Sequence, residues 1–454
     1  MIFQRIESEG LAHYSYLIGD EGHAVVIDPR RDCEVYWQLA HQAGCRIEHV
    51  LETHRNEDYV VGSLELGEYT GARLWHADSQ LAYGYGSPVE DRQVWHFGDF
   101  ELQAMHTPGH TPGSMSYVLR EAGTDVALMV FCGDTLFAGD VGRVDLLGAG
   151  QMSSLAGQLY NSLYEKLLPL GDQTIVCPAH GSGSVCGSGI AQRLWTTVGL
   201  ERQLNPRLGY ESRDEFIAEV AHELERPPYF RRMEELNVNG PPILGRLQAP
   251  APLPAEEFAR DVVDTLVLDT RSELAFGAAH VPGSLFIWAD GLASFGGWFL
   301  SYDRDLSLVA QDGDVEQVIR HLVRLGYDHI AGYLSDGLLA WHVAGKESQS
   351  VDMVTVQDLC QELDRGTNLW ILDVRSAEEL ETDGRIEGAH HIHITQLPDS
   401  LEHVPTDRPI YIFCGSGLRS MTAASILSRA EWNHIVVVLG GITGWESTTC
   451  PISL

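Results

Sequence analysis

The amino-acid sequence predicts an α/β protein with one large layered domain followed by two small α/β domains. The first 240 residues alternate short apolar runs with Gly-rich polar turns, a pattern typical of strands that alternate with helices. A proline-rich segment at 239–258 then interrupts this pattern. Beyond it, two stretches about 104 residues apart resemble each other, which indicates two copies of a small domain.

Length and composition agree with a multidomain globular protein. A chain of 454 residues exceeds what one core organises, and 44% apolar with 21% charged residues is ordinary for globular domains. There is no uninterrupted apolar run of about 18 residues, so we expect no membrane span. The first residues, MIFQRIESEG, lack a basic region before an apolar run, and a cytoplasmic location is therefore expected.

The net charge of −34 excludes some partners. Only two lysines, Lys166 and Lys346, contribute to the cations, and arginine supplies the rest. Such an acidic surface repels nucleic acid and anionic lipid, so neither is expected to bind. Solubility is the simplest account of the charge.

Four apolar runs of the large domain are predicted to be buried strands. They cover 23–29, 47–54, 124–134 and 173–180. Residues 33–44 predict a helix that Gly44 ends. Polar residues follow each run, so the chemistry is expected just past the carboxyl ends of strands.

Histidine and aspartate side chains occupy these strand-end segments. The candidates are His54, Asp58, His106, His110, Asp134 and His180. They lie in the Gly- or Pro-rich stretches ETHRNEDYVVG, HTPGHTPGS, FCGDTLF and CPAHG. One such residue alone would be explained by loop hydrogen bonds, but four such segments in one domain predict a metal site.

The four segments resemble the metallo-β-lactamase superfamily, whose usual pattern is His-x-His-x-Asp-His, a Gly-His, a Gly-Asp and a final histidine. The matching residues are His54, His110, Asp134 and His180. Asn56 and Tyr59 stand where two further histidines are usual. The resemblance implies an αββα sandwich. It also disfavours a dinuclear zinc hydrolase of the glyoxalase II type, because such an enzyme needs both of those histidines.

The persulfide dioxygenases of this superfamily hold a single iron at three of the matching positions. The resemblance therefore implies one Fe(II) per chain with His54, His110 and Asp134 as ligands. Two imidazoles and one carboxylate leave open positions on Fe(II) for a substrate and dioxygen. Asp58 and His180 would then orient the ligands or a bound water. The change at Asn56 leaves open a relative without activity.

Two more residues near this site have alternative interpretations. Arg143, in GDVGRVDL, either contacts an anionic thiol substrate or forms an ion pair with Asp145 or Asp140. Cys186 either faces the substrate or is a buried inert thiol, and the second interpretation is favoured.

The second half of the chain repeats itself. Residues 266–284 resemble 371–390, and 326–341 parallel 431–445, each later stretch ending in a helix with a tryptophan. Residues 239–258, with five prolines, are predicted to be a semi-rigid linker. The predicted domains are 1–240, 250–348 and 352–454.

An apolar strand in the second copy ends in Cys414. The loop that follows is Gly415, Ser416, Gly417, Leu418 and Arg419, and Ser420 opens a helix. Loop N–H groups and a helix N-terminus would stabilise a thiolate and bind an anionic group, to which Arg419 adds charge. This arrangement resembles the rhodanese active site, whose cysteine carries a persulfide. Phosphatase loops have five residues between cysteine and arginine, whereas this loop has four.

The first copy lacks these groups. Alignment of 303–316 with 407–420 places Ala310 at the cysteine, Val315 at the arginine and Glu316 at the serine. Asp312 and Asp314 would in addition repel thiosulfate. The first copy is therefore predicted to be a non-catalytic rhodanese-like domain that positions its neighbours or builds a subunit interface.

Eight cysteines are spread along the chain without a Cys-x-x-Cys pair. A structural zinc finger is therefore not expected. In a large chain without a signal peptide, reduced buried thiols with one or two reactive ones are expected rather than disulfides.

The domain order resembles the persulfide dioxygenase–sulfurtransferase fusions of bacterial sulfide detoxification. The resemblance implies oxidation of a low-molecular-weight persulfide by O2 to sulfite, followed by transfer of sulfane sulfur through Cys414 to give thiosulfate. The expected partners are the thiol persulfide, O2, sulfite and thiosulfate, and the chain is expected to be a homo-oligomer. Two alternatives stay open: a metal-dependent thioester hydrolase, and a sulfurtransferase whose metal domain is vestigial.

Overall fold

The computed structural model describes residues 1–187, 189–245, 247, 250–311 and 313–452. Its contacts divide the chain into two compact units. The first comprises Met1–Gln248 with Val323–Gly326, and the second comprises Ala249–Leu322 with Tyr327–Leu454. None of the helices in the described ranges combines the length and apolar character that crossing a bilayer requires.

The first unit contains two six-stranded sheets. The strands of the first sheet, in spatial order, are β1 (Ile2–Ser8), β2 (His13–Asp20), β3 (His23–Ile27), β4 (Arg46–Leu51), β5 (Arg73–His76) and β6 (Ser87–Pro88). The second sheet consists of β7 (Val94–Phe97), β8 (Phe100–His106), β9 (Met115–Glu121), β10 (Ala127–Gly133), β11 (Ile175–Pro178) and β12 (Thr196–Thr197), again in spatial order. Strands β3 to β6 pair in parallel, as do β10 and β11.

Six helices lie within the described residues of this unit. They are α1 (Glu34–Gln42), α2 (Ser63–Thr70), α3 (Met152–Ser162), α4 (Val198–Leu204), α5 (Arg213–Val220) and α6 (Phe230–Asn239). Residues such as Ile18 and Tyr117 form one core between the sheets. Tyr36 of α1 packs on the outside of the first sheet, and Leu159 of α3 on the outside of the second. The layers run helix, sheet, sheet, helix, which confirms the predicted αββα sandwich.

The second unit contains two five-stranded parallel sheets. The elements of the first copy are β13 (Ala251–Leu253), α7 (Ala255–Asp261), β14 (Leu266–Asp269), α8 (Glu273–Ala278), β15 (Leu285–Phe286), α9 (Leu292–Phe299), β16 (Leu306–Val309), α10 (Val315–Arg324), β17 (Ile330–Leu334) and α11 (Gly337–Val343). Those of the second are β18 (Asp352–Thr355), α12 (Val356–Asp364), β19 (Trp370–Asp373), α13 (Ala377–Thr382), β20 (His390–His391), β21 (Ile410–Phe413), α14 (Leu418–Arg429), β22 (Ile435–Leu439) and α15 (Gly441–Trp445).

The two copies share one topology. Their sheets run β13-β17-β16-β14-β15 and β18-β22-β21-β19-β20, which is the same strand order. The aspartate that ends β14 and the one that ends β19 each hold an arginine two residues later, Arg271 and Arg375, at 2.6 and 2.7 Å. The repeat seen in the sequence is therefore a repeat of structure down to single ion pairs.

A hydrophobic core joins the two copies. Phe276 and Phe286 of the first copy pack with Leu372, Ile412 and Met421 of the second. The backbone N–H of Phe286 donates a hydrogen bond to Ser425 Oγ on α14, at 3.0 Å. The helix that follows Cys414 therefore packs against the first copy.

Two expectations from the sequence are wrong. Residues 239–258 are not a linker throughout, because β13 begins at Ala251 and α7 at Ala255. Strand β13 lies at the edge of its sheet, where a proline such as Pro252 does not interrupt the hydrogen bonds of a neighbouring strand.

The second wrong expectation is that the cysteines form no disulfide. Cys360 and Cys450 form a disulfide, although they are 90 residues apart in the sequence. The fold brings the end of the chain back to α12, and no local spacing signals such a pairing. Six cysteines are free, as expected.

Candidate metal centre and sulfur-transfer site

The predicted metal ligands follow strands whose ends meet at one edge of the sandwich. His54 lies three residues after β4, Asp134 directly follows β10, and His180 lies two residues after the parallel neighbour β11. His110 lies in the turn between β8 and β9. Because parallel strands end at the same edge, residues distant in sequence come together here.

Three of these side chains converge on one point. Asp134 Oδ2 lies 3.8 Å from His54 Nε2 and 3.6 Å from His110 Nε2, distances too long for hydrogen bonds. His54 Nε2 and Asp134 Oδ2 are buried and make no hydrogen bond within the described structure. Buried polar atoms rarely remain without a partner. The three atoms therefore have the composition and spacing of a metal-ligand set.

Hydrogen bonds fix the orientation of both imidazoles. His54 Nδ1 lies 2.8 Å from Thr53 Oγ1, whose hydroxyl donates to Asp28 Oδ2 at 2.7 Å. His110 Nδ1 lies 2.9 Å from the carbonyl oxygen of Arg143, which can only accept. Each Nδ1 is thereby assigned as the N–H, and each Nε2 is left to face Asp134 as a potential ligand.

Gly133 makes room for this arrangement. Its φ is +51°, and a Cβ atom there would lie 2.5 Å from Thr53 Oγ1 and 3.2 Å from His54 Nδ1. A side chain at this position would displace the hydrogen bonds that orient His54. The glycine of the Gly-Asp motif is therefore required by close packing.

Of the three remaining candidates, Asp58 and His180 lie beside this set. His180 Nδ1 contacts Asp134 Oδ1 and His180 Nε2 contacts Asp58 Oδ2, both at 2.8 Å. Burial lowers the pKa of His180, but Asp134 and Asp58 outweigh burial and raise it well above the usual value. His180 thus links the carboxylate that faces the two imidazoles to a second one. His106, by contrast, contacts the Pro112 carbonyl and lies outside this group.

Sequence reasoning missed Glu57. Its carboxylate is fully buried, and Oε1 lies 3.0 Å from His110 Nε2. Burial lowers the pKa of His110, but Glu57 outweighs burial and raises it to about 9. A bound cation would replace that proton. One feature of the sequence could have identified Glu57: it is an acidic residue within ETHRNEDYVVG, the segment that carries the first metal motif.

Asn56 and Tyr59, which stand where two histidines are usual, offer no imidazole to a metal ion. The ring of Tyr59 lies against that of His13, with ring centroids 3.9 Å apart, and burial raises the pKa of its phenol well above 10. Asn56 Nδ2 donates to the carbonyl oxygen of His54 at 3.3 Å. The histidine pair that a dinuclear centre would use is therefore replaced by a neutral phenol and an amide.

Arg143 forms the ion pair that was the alternative to substrate binding. Its Nε and Nη2 donate to the two carboxylate oxygens of Asp145, each at 2.7 Å. The other N–H groups donate to the carbonyl oxygens of Val185, Leu224 and Glu225. No N–H group of Arg143 is left for a substrate.

Cys186 has the properties of an inert thiol. It is completely buried, with Sγ 3.9 Å from Glu57 Oε1. Burial, followed by the nearby carboxylates Asp58 and Asp134, raises its pKa well above 9. A thiol with so high a pKa is a poor nucleophile near neutral pH.

The residues present fit a divalent cation. Three buried carboxylates, Glu57, Asp58 and Asp134, face imidazoles, and the ion pairs found for them within the described ranges are all with histidine. Uncompensated buried carboxylates are costly, and a dication bound among them would offset that cost. His54, His110 and Asp134 would hold it.

In the second unit, Cys414 lies where the sequence placed it. It directly follows β21, is fully buried, and accepts a hydrogen bond from the Gly417 N–H at 3.1 Å. Helix α14 begins at Leu418, so its N-terminus lies beside the sulfur. The Ile442 N–H donates to the Cys414 carbonyl oxygen at 2.9 Å, which anchors the loop from the other side.

Arg419 is held by an acidic residue that the sequence did not single out. Its Nη1 donates to Glu379 Oε2 at 2.6 Å, and the same oxygen accepts from the Ser376 N–H in the capping box of α13. Burial raises the pKa of Glu379, but Arg419 outweighs burial and lowers it to about 2. The charge of Arg419 is therefore shared with a carboxylate rather than fully available to an anion.

The equivalent position in the first copy has no nucleophile. Ala310 directly follows β16, as Cys414 follows β21, and α10 begins at Val315. Glu316 lies in the first turn of that helix. Asp312 lies outside the described residues.

Comparison with known proteins agrees with this architecture. The model of the metallo-beta-lactamase superfamily matches residues 9–180, and that of the rhodanese-like domain matches residues 355–448. The human mitochondrial persulfide dioxygenase ETHE1 is 32% identical over 217 residues, which cover 45% of this chain and 74% of that protein. The hydroxyacylglutathione hydrolase GloC of Haemophilus influenzae is 28% identical over 219 residues, covering 44% and 93% respectively.

A solved structure extends the similarity beyond the first unit. A metallo-beta-lactamase from Staphylococcus aureus is 30% identical, with a TM-score of 0.66, and the match covers 74% of this chain and 98% of that one. The family matches agree with this order along the chain, with the metallo-beta-lactamase part first and the rhodanese-like part after it. The chain therefore belongs to the metallo-β-lactamase superfamily, as a homologue of the ETHE1 persulfide dioxygenases that carries a C-terminal rhodanese-like domain.

Proposed function

We propose that this protein oxidises a low-molecular-weight persulfide with O2 to sulfite and transfers sulfane sulfur through Cys414 to give thiosulfate. One observation carries the proposal: buried donor atoms of His54, His110 and Asp134 converge, in a chain that also holds Cys414 in an N–H-lined loop. Two imidazoles and one carboxylate are the set that non-heme Fe(II) oxygenases use.

The first reaction balances as R–S–SH + O2 + H2O giving R–SH, sulfite and two protons. A bound Fe(II) would supply the activation of O2. The chain supplies the ligands, fixes both imidazoles through Thr53 and the Arg143 carbonyl, and keeps the centre buried. Burial limits the access of water to reactive sulfur species.

The second reaction takes place at Cys414. The Cys414 thiolate attacks the outer sulfur of a second persulfide R–S–SH, whose S–S bond breaks and releases R–SH. Sulfite then attacks the outer sulfur of Cys–S–SH, the S–S bond to Cys414 breaks, and thiosulfate leaves while the thiolate is regenerated. The Gly417 N–H and the N-terminus of α14 stabilise the negative charge on the cysteine sulfur.

Thioester hydrolysis is the second candidate. It is supported by the similarity to GloC, whose name describes a hydroxyacylglutathione hydrolase. Against it stand Asn56 and Tyr59, because neither offers the imidazole that a second metal ion would need. The third candidate is a sulfurtransferase that acts through Cys414 and whose first unit binds no metal.

The deciding measurement is oxygen consumption by Fe(II)-loaded protein given glutathione persulfide, with metal content determined on the same sample. We expect uptake that depends on both iron and persulfide, and loss of uptake in His110→Ala. Cys414→Ser should abolish sulfur transfer and leave oxygen uptake intact. Bound zinc with thioester turnover would favour hydrolysis, and no uptake with iron bound would contradict the dioxygenase proposal for this substrate.

A further inference from the structure

We propose that Glu57 is a fourth protein ligand of the metal, so that the centre is built from two histidines and two carboxylates. The inference deepens the proposed function and rests on it for the identity of the metal as iron. Its starting point is that the position usually occupied by histidine, Asn56, contributes an amide, while the next residue contributes a buried carboxylate.

Distances place Glu57 inside the ligand set. Glu57 Oε1 lies 3.0 Å from His110 Nε2, and donor atoms of His54, Glu57 and His110 all lie within 4.8 Å of one another. Donor atoms of Glu57 and Asp134 also belong to one such group. Two ligands about 2.0–2.2 Å from one ion are roughly 3 Å apart when they are adjacent around it. The contact between Glu57 and His110 has that separation.

The partners of Glu57 point in the same direction. Its Oε2 is buried and makes no hydrogen bond within the described structure, and its Oε1 meets only His110 and the weak donor Cys186. Arg143, whose charge interacts with that of Glu57, is committed to Asp145. The ion pair found for Glu57 within the described structure is with His110, whose Nε2 also faces Asp134, so two buried carboxylates share one imidazole and their charge is costly to bury. A metal ion shared with His54, His110 and Asp134 offsets that cost.

This assignment changes the chemistry available at the centre. Three protein ligands leave three positions on a six-coordinate ion, whereas four leave two. Two open positions are just sufficient for a persulfide sulfur and O2. The second carboxylate also cancels the remaining charge of a dication, so that the resting centre is neutral in its buried setting.

The test uses full-length protein and measures metal binding without persulfide or O2. Fe(II) affinity is determined by competition with a chromophoric chelator for wild type, Glu57→Gln, Glu57→Asp and Glu57→Ala. Exchangeable waters on bound Mn(II) are counted by electron paramagnetic resonance in isotopically labelled water. Glu68→Ala, an exposed position on α2, is the matched control for loss of one carboxylate.

We expect Glu57→Gln and Glu57→Ala to bind Fe(II) at least about tenfold more weakly and Glu57→Asp to be intermediate. Glu57→Ala should carry one exchangeable water more than wild type, and Glu68→Ala should match wild type in both measurements. Near-wild-type affinity in Glu57→Gln would show that Glu57 only hydrogen-bonds His110 and would overturn the assignment. Weaker binding without an additional water would also overturn it, because only charge would then be acting.

These outcomes are separable from those of the proposed function. Iron that binds through Glu57 but supports no oxygen uptake would contradict the dioxygenase and leave the ligand assignment standing. Oxygen uptake by the wild type, together with unchanged Fe(II) affinity in Glu57→Ala, would contradict the ligand assignment and leave the dioxygenase proposal standing. Near-ultraviolet circular dichroism of each variant shows that the unit is folded, and Glu57→Gln keeps the size of the side chain.

Discussion

At the residue scale, the ion pair between Arg419 and Glu379 controls the charge at the sulfur-transfer loop. Arg419→Ala should lower kcat/KM for thiosulfate roughly ten- to a hundredfold, since a charge-assisted hydrogen bond contributes about 1.5–3 kcal/mol. The same change leaves the Glu379 carboxylate unpaired beside the loop, where it repels a dianion. Adding Glu379→Ala should therefore recover part of the lost activity.

Sulfur transfer from thiosulfate to cyanide measures both effects. Glu378→Ala, at the exposed neighbouring position, is the control and should behave as wild type. If the double variant is as slow as Arg419→Ala alone, repulsion by Glu379 does not contribute, and the arginine acts only through its own charge.

Individual residues also show what the sequence could and could not predict. His54, His110 and Asp134 were predictable because each belongs to a motif, and the structure brings them together. Glu57 occupies a position of the first motif that has no prescribed residue type, and its burial beside His110 depends on the conformation of the whole segment. From the sequence, Arg143 could contact a substrate or form an ion pair with Asp145 or Asp140, and only the packing of its loop selects Asp145.

At the scale of elements, the first small domain packs against the helix that follows Cys414. Its strand β15 packs against α14, the helix that begins at the Cys414 loop, through Phe286 and the hydrogen bond to Ser425. Phe286→Ala should destabilise this shared core by about 3–5 kcal/mol, because the site is fully buried and leaves a cavity. Sulfur transfer should be lost at lower urea concentrations than in wild type.

Urea unfolding followed by tryptophan fluorescence reports on this core, since Trp288 and Trp370 pack against it. Val343→Ala, at a site 81% exposed on α11, is the control and should change stability by less than about 0.5 kcal/mol. An unchanged midpoint in Phe286→Ala would mean that the two copies fold independently.

The elements themselves were largely predictable. Alternating apolar runs gave β3, β4, β10 and β11, and Gly44 marked the end of α1. The edge strand β13 was missed because its prolines resemble a linker and its pairing partner, β17, lies about 80 residues away. The disulfide between Cys360 and Cys450 was missed for the same reason: long-range pairing leaves no local signal.

At the scale of the whole molecule, the proposed function places oxidation and sulfur transfer in one chain, and this should matter for the fate of sulfite. Under this proposal, sulfite formed in a chain would meet the persulfide of its own Cys414 at the concentration set by the connection, whereas sulfite from another chain would arrive at its bulk concentration. The expectation can be tested by separating the two activities. His110→Ala should retain only sulfur transfer, and Cys414→Ser should retain only oxidation.

An equimolar mixture of these two variants is compared with wild type in the presence of an aldehyde that traps free sulfite. We expect wild type to keep most of its thiosulfate formation and the mixture to lose it, because only the mixture must release sulfite into solution. Added sulfite without the trap should restore thiosulfate formation by His110→Ala, which shows that its Cys414 site is intact. Equal sensitivity of wild type and mixture to the trap would mean that sulfite leaves the protein between the two reactions, and that the fusion gives no kinetic advantage.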